Sequence, residues 1–224
     1  MNKLFQIGAA AAFGAMIAST PAHALLTTPE TEVFSFSGLS GNTPLTFNGF
    51  NAGLGTLVEV LVSFSANVSL TNTAAVLPVG SGNQVVGSPT PLSATGTLTV
   101  FNGPLGIFLT DSLTTPGFVG TVIDNNTVQT VGTAGPSVLG GSNSITTGLG
   151  SFVGGLNLFS ISMIGSATQT GSTGSFVLGG ADGLAEGSVT IQYRYNEIST
   201  PEPASMVLLG AGLLGLGLAR RRKA

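Results

Sequence analysis

From residue 58 the even positions read Val58, Val60, Val62, Phe64, Ala66, Val68 and Leu70, while Glu59, Ser63, Ser65, Asn67, Ser69 and Thr71 stand on the odd ones. A period of two over this length predicts a half-buried strand, or two strands joined by a bend near Ala66, with Leu57 and Leu61 as apolar exceptions on the outward face. Near the end of the chain Val189, Ile191, Tyr193 and Tyr195 alternate with Ser188, Thr190, Gln192 and Arg194, which predicts a second strand of the same kind.

Weaker strand patterns cover residues 33–37, 96–101, 106–109, 118–123, 127–131, 156–163 and 175–178. Turn chemistry fills the gaps, as at Pro78-Val79-Gly80, Asn102-Gly103-Pro104 and Asp124-Asn125-Asn126. Residues 133–150 are poor in large apolar side chains and rich in Gly, Ser and Thr, and they are expected to form a long edge loop. Short strands without intervening amphipathic helices indicate an all-β fold, an antiparallel β-sandwich of jelly-roll or Ig-like arrangement. No repeat of fixed period points to a propeller or solenoid.

Composition sharpens this picture. Charged residues are only 7% of the 224, Gly numbers 34, and hydrophobic residues make up 42%, so apolar area is available for a core while hydroxyls and amides must cover the surface. Cysteine is absent, which removes disulfides, thiolate metal sites and thiol nucleophiles. Between residues 25 and 200 eight carboxylates face the single guanidinium of Arg194, a net of −7. A body so depleted of cations makes no phosphate-directed contacts, and nucleic acid is excluded as a partner.

The remaining cations mark the ends. Lys3 precedes an apolar stretch over residues 4–17, and Ala22-His23-Ala24 follows with small residues at the two positions a signal peptidase reads. Residues 1–24 are expected to be a secretory signal cleaved after Ala24, and His23, the sole histidine, leaves with them. At the other end Pro201-Glu202-Pro203 enforces an extended spacer, residues 204–219 are uncharged and rich in Leu and Gly, and Arg220, Arg221, Arg222 and Lys223 close the stretch. This predicts a short transmembrane helix over about 204–219 with its basic tail, 220–223, in the cytoplasm and the body, 25–198, outside. The tripartite segment 199–224 resembles the PEP-CTERM sorting signal of Gram-negative bacteria. The resemblance implies recognition by an exosortase, a transient stay in the inner membrane, and delivery to the cell surface or exopolysaccharide matrix.

Residues 47–57, Phe-Asn-Gly-Phe-Asn-Ala-Gly-Leu-Gly-Thr-Leu, resemble the opening of choice-of-anchor E domains, although Asn51 stands where an acidic residue is common. That resemblance implies an extended Phe-containing segment and a Leu-Gly-Thr-Leu turn before the first long strand, alternative C-terminal anchors, and no established enzymatic activity.

Without His or Lys in the body, relays that need an imidazole or an amine are closed, and only carboxylate pairs remain for acid–base work. Asp182 with Glu186, and Asp111 with Asp124, are the pairs at hand; solvated turn residues are the commoner explanation for each. Oxygen ligands make calcium a better use of these acids, with Asp124, Asn126, Asp182 and Glu186 as weak candidate ligands, though none follows the spacing of a dedicated loop. Tyr193 and Tyr195 offer a stacking platform for a sugar ring, but their alternation sets them on the core side.

The expectation is therefore an exported, non-catalytic protein of the cell surface or extracellular matrix, associated with exopolysaccharide and biofilm. It has no catalytic residue and no cofactor beyond a candidate structural calcium. Its partners are signal peptidase, exosortase, the inner membrane and exopolysaccharide. The alternatives are a carbohydrate-binding or adhesive module, calcium-dependent or not, and, further off, a carboxylate-dependent glycan hydrolase.

Overall fold

Side chains that alternate between apolar and small polar favour pleated segments with one buried face, and nearly all of the described chain adopts that form. The computed structural model describes residues 24–77, 82–85, 92–104, 106–118, 122–123, 127–168, 170–172, 175–198 and 210–213. Its strands are β1 (Ala24–Leu26), β2 (Glu30–Ser37), β3 (Ser40–Asn48), β4 (Gly55–Leu77), β5 (Gln84–Val85) and β6 (Ala94–Asn102), followed by β7 (Gly106–Thr114), β8 (Val122–Ile123), β9 (Val128–Ile145), β10 (Leu156–Ala167), β11 (Thr170–Ser172) and β12 (Ser175–Glu197). Short 3₁₀ turns at Ala52–Leu54 and Leu149–Phe152 precede β4 and β10.

Two antiparallel sheets carry the body. In the first, β12 has β4 and then β9 on one side, while β1, β2 and β11 share its other edge at different heights. The second runs β3-β10-β6-β7. β2 lies against β3, β12 against β10, β4 against β6 and β9 against β7, so the sheets face each other along their whole width. β5 and β8 form a separate two-stranded ribbon.

The inner faces supply the core. Val60, Val62, Leu70, Leu98, Ile161, Met163, Val189 and Ile191 are all at most 1% exposed, and Phe47, Phe50, Phe152 and Phe159 fill the space near the start of β4 and β10. Each such side chain contributes about 1.5–3 kcal/mol on burial, which lets the fold stand without a disulfide. A smaller cluster, Ala74, Val76, Leu92 and Val131, occupies the opposite end. Asn72, fully buried with neither amide atom paired, sits between the two clusters along β4.

Several features depart from the pattern read along the chain. The segment from residue 58 lies within one unbroken strand of 23 residues, Gly55–Leu77, as the single-strand alternative expected, and the strand begins earlier than the pattern showed. Its register against β12 shifts between Arg194 and Tyr195, where Glu59 and Leu57 are the successive partners and Val58 is the extra residue. Such a bulge reverses the facing of what precedes it, so Leu57 is buried rather than outward and Val58 is only half-buried. Residues 133–145, expected in a loop, belong to β9, which pairs with β4 over Val60–Ala75. β9 is an edge strand with little apolar area of its own, burying only Val131 and Leu139, and its register comes from β4. One of its glycines is steric: a Cβ on Gly132 would lie 1.8 Å from the ring of Phe118. β3 was not foreseen, because Pro44 within it demotes the pattern; on an edge strand bonded only to β10 that proline is tolerated.

Residues 1–23 lie outside the described residues, as does the helix expected over 204–219 except for its turn at 210–213. Among the described residues no helix is long and apolar enough to cross a membrane.

Facing is testable on one strand. Ile161 on β10 points inward and is 0% exposed, whereas Leu158 on the same strand is 65% exposed. Ile161→Ala should lower stability by about 2–5 kcal/mol, and Leu158→Ala should stay within about 0.5 kcal/mol of the parent in urea unfolding.

Candidate functional site

The sorting segment begins where β12 ends, and the last residues of β12 are paired on both edges. Glu197 pairs with Gly55 and Asn196 with Thr56, so the last strand is held by the first residues of β4 until three residues before Pro201 begins the spacer. Gly55 is required there: its φ is +152°, and a Cβ would lie 2.0 Å from the carbonyl oxygen of Asn196. β1 closes on the other edge, with Ala24 opposite Asn196, Leu25 opposite Tyr195 and Leu26 opposite Arg194. The residue expected at the signal cleavage point is thus paired to the strand that leads into the tail. Pro201, Glu202, Pro203, Arg220, Arg221, Arg222, Lys223 and Ala22 lie outside the described residues.

A polar network fastens this pole to the second sheet. The Tyr193 hydroxyl donates to the carbonyl oxygen of Asn48 at 2.7 Å and accepts from the Asn157 amide at 2.8 Å. Glu30 accepts from the Asn48 backbone N–H at 2.8 Å and from the Asn48 side-chain amide. Tyr193 is 5% exposed, and Phe50 packs against both Tyr193 and Tyr195 with ring centroids 5.9 and 5.4 Å away. The tyrosines therefore belong to the core side, and Tyr193 is not a free stacking platform. Arg194 Nη1 lies 2.6 Å from Glu59 Oε2, which also accepts from the Ser144 hydroxyl through Oε1. Residues from four separated segments build this network, and no local sequence signal announces it.

Asp182 and Glu186 stand on the outward face of β12. At about 3.3 Å per residue their Cα atoms are roughly 13 Å apart, beyond the 5–9.5 Å over which paired carboxyl groups cleave glycosides. Asp182 Oδ1 accepts from the Gly183 N–H at 2.8 Å. Asp111 joins the edges of the two sheets, accepting from Ser112 N–H at 2.8 Å and from Gly140 N–H on β9 at 3.0 Å. Asp124 and Asn126 lie outside the described residues, and among the described residues no three His, Cys, Asp or Glu side chains gather as a metal would need.

The outer face of the first sheet carries three shallow depressions. One of about 620 Å³ is bordered by Val33, Ser35, Asn67 and Glu186. A second, about 430 Å³, shares Ser35, Asn67 and Glu186 and adds Ser69, Pro136 and Leu184. The third, about 450 Å³, lies further along the same strands beside Leu61, Ser63, Ser142, Thr190 and Gln192. Ser, Thr, Asn and Gln side chains stand among apolar neighbours such as Val33, Leu61, Pro136 and Leu184 along these borders, and Glu186 is the one ionisable group there.

Comparison with known proteins identifies the tail. Residues 199–223 match the PEP-CTERM protein-sorting motif. The motif supports an exported bacterial protein sorted by exosortase and associated with the cell surface or membrane. No curated protein matches the chain. Among solved structures it is similar to the T=1 particles derived from infectious bursal virus, at 10% identity and a TM-score of 0.24 over 75% of this chain and 36% of that one. It is also similar to the VP2 subviral particle of infectious bursal disease virus, at 11% identity and a TM-score of 0.24 over 87% and 49%. The chain thus spans about a third to a half of those chains' lengths, and overlaps this loose fix neither fold nor function.

Burial raises the Tyr193 hydroxyl to about 12 from an ordinary 10.0; the Asn157 hydrogen bond opposes that rise and the charge of Glu30 adds to it. The unfolded chain gives up this proton near pH 10 while the folded one keeps it, so the stabilisation is complete below pH 10 and is lost as pH rises through about 12. Tyr193→Phe should flatten that alkaline decline in thermal unfolding curves. At neutral pH it should cost about 1–3 kcal/mol, because Asn48 and Asn157 lose a buried partner.

Proposed function

We propose that this chain is a non-catalytic protein of the cell surface or extracellular matrix of a Gram-negative bacterium. Its body is a β-sandwich of jelly-roll type, delivered by its tail and associated with exopolysaccharide. The observation that carries the reading is the sorting motif at residues 199–223 following directly on a strand that is paired to its last residue. A body so joined is handed to the sorting machinery as a folded unit rather than on a long linker. Strand orders β2-β12-β4-β9 and β3-β10-β6-β7 support the jelly roll, since they interleave two Greek keys over eight strands.

The proposal extends to the choice-of-anchor E resemblance of residues 47–57. In support, Phe47 and Phe50 are buried, and the Ala52–Leu54 turn, capped by Asn51 Oδ1 on the Gly53 N–H at 2.9 Å, leads into β4.

A second reading is favoured by the depressions across β2, β12, β4 and β9: a carbohydrate-binding or adhesive face. Ser, Thr, Asn and Gln offer both donors and acceptors to sugar hydroxyls, and a body of net −7 suits a neutral glycan better than an acidic one. Structural calcium, with Asp182 or Glu186 among its ligands, belongs to this reading.

Deletion of residues 201–224 should release the body into the medium in soluble form; retention at the cell would contradict the role given to the tail. A pulldown of the strain's own exopolysaccharide, with and without calcium, tests the second reading. Binding that is lost in Asn67→Leu with Thr190→Leu supports it, and absence of binding in both conditions removes it.

A further inference from the structure

Six of the large apolar side chains left exposed surround the pole from which the tail departs: Leu25, Leu26, Leu54, Val153, Leu156 and Ile198. The pairings fix their place. Leu25 and Leu26 lie opposite Tyr195 and Arg194, Leu54 immediately precedes Gly55, which pairs with Glu197, and Ile198 is the next residue after Glu197. Val153 bridges to Phe50, whose ring packs on Tyr195, and Leu156 pairs with Asn48 at the end of β3. They range from 38% to 64% exposed, and no element of the described chain covers them.

We infer that this ring is a lipid-contacting collar, which seats the body end-on against the outer surface of the membrane while the tail lies in the bilayer. The inference rests on the reading that residues 204–219 enter the membrane. Only six residues, 198–203, lie between Glu197, the last paired residue, and Ala204, and even fully extended the seven steps from one to the other reach about 25 Å. A pole tethered that closely meets the headgroup layer at a high effective concentration, and exposed Leu, Ile and Val side chains gain by leaving water there. Charge does not prevent the approach. Glu59 is paired with Arg194, and Glu30, held by Asn48 hydrogen bonds, and Glu197 are the two carboxylates beside the collar without a cation among the described residues, where headgroup water can keep them solvated. The body's net negative charge favours a zwitterionic surface over an anionic one.

In this seating β4 and β12 lead away from the membrane, and Val128 pairs with Ala75, 20 residues along β4 from Gly55, or roughly 65 Å of strand at 3.3 Å per residue. The collar would also hold the sorting junction at the interface, where a membrane-embedded enzyme must engage it, and removal of the tail would free the body by removing the tether that makes the weak contact persist.

The chain contains no tryptophan, so single insertions report without background. Leu54→Trp, Leu156→Trp and Val128→Trp would each be introduced into the protein isolated from membranes with its tail intact, then reconstituted in phosphatidylcholine vesicles carrying brominated acyl chains. Flotation establishes membrane attachment, and emission measures contact. The collar predicts that the vesicles carry the protein and that emission at positions 54 and 156 is quenched at least about twofold more than at 128. Flotation with equal quenching at all three positions would overturn the collar and leave the tail reading intact. Protein that fails to float would overturn the tail reading and the collar with it.

Discussion

The antiparallel pairing of β4 with β12 is the constraint from which the rest of the structure follows. It runs from Leu77 opposite Phe176 to Gly55 opposite Glu197, through the centre of the first sheet. Its length decides the size of the body, its inward residues form most of one wall of the core, and its outward Ser, Thr and Asn side chains form the hydroxyl-rich face. Because the final strand of the body is paired with the first long one, the chain closes on itself before the tail begins. The sorting segment therefore follows a strand end fixed beside Gly55 and Thr56.

What the alternation of side chains announced, the structure largely contains. A strand from residue 58 and another ending near Tyr195 are legible because both faces of a central strand are specified by its own residues: Val60, Val62 and Phe64 inward, Ser63 and Ser65 outward. β9 was legible only at its start, 127–131, because an edge strand borrows its register. Gly132, Gly140 and Gly141 are glycines in a position where the partner supplies the order, and without that partner they read as loop. The bulge at Val58 was hidden for a related reason, since a one-residue insertion is visible only once Leu57 and Glu59 have partners on β12.

The site divides in the same way. The sorting motif is a linear signal, three unlike parts in order along 25 residues, and it is readable in full from sequence. The network of Glu30, Asn48, Asn157 and Tyr193 is not, because its members are brought together by two strand pairings, β2 with β12 and β3 with β10, and by the packing of one sheet on the other. The candidate carboxylates illustrate the reverse case. Asp182 and Glu186 are close in sequence, and a helix would have placed them side by side, but the extended strand that contains them holds them apart.

The register of β4 against β12 is the central claim, and the absence of cysteine makes it directly measurable by cross-linking. Ser65 and Ser188 are partners across the two strands, and Ser65 and Leu184 are displaced by four residues, roughly 13 Å along the strand. Ser65→Cys with Ser188→Cys should form an intramolecular disulfide on mild oxidation of the folded protein, and Ser65→Cys with Leu184→Cys should not, since bridged Cα atoms lie within about 7 Å. A bridge in the displaced pair, with none in the facing pair, would contradict the register and with it the placement of the end of β12 beside the start of β4.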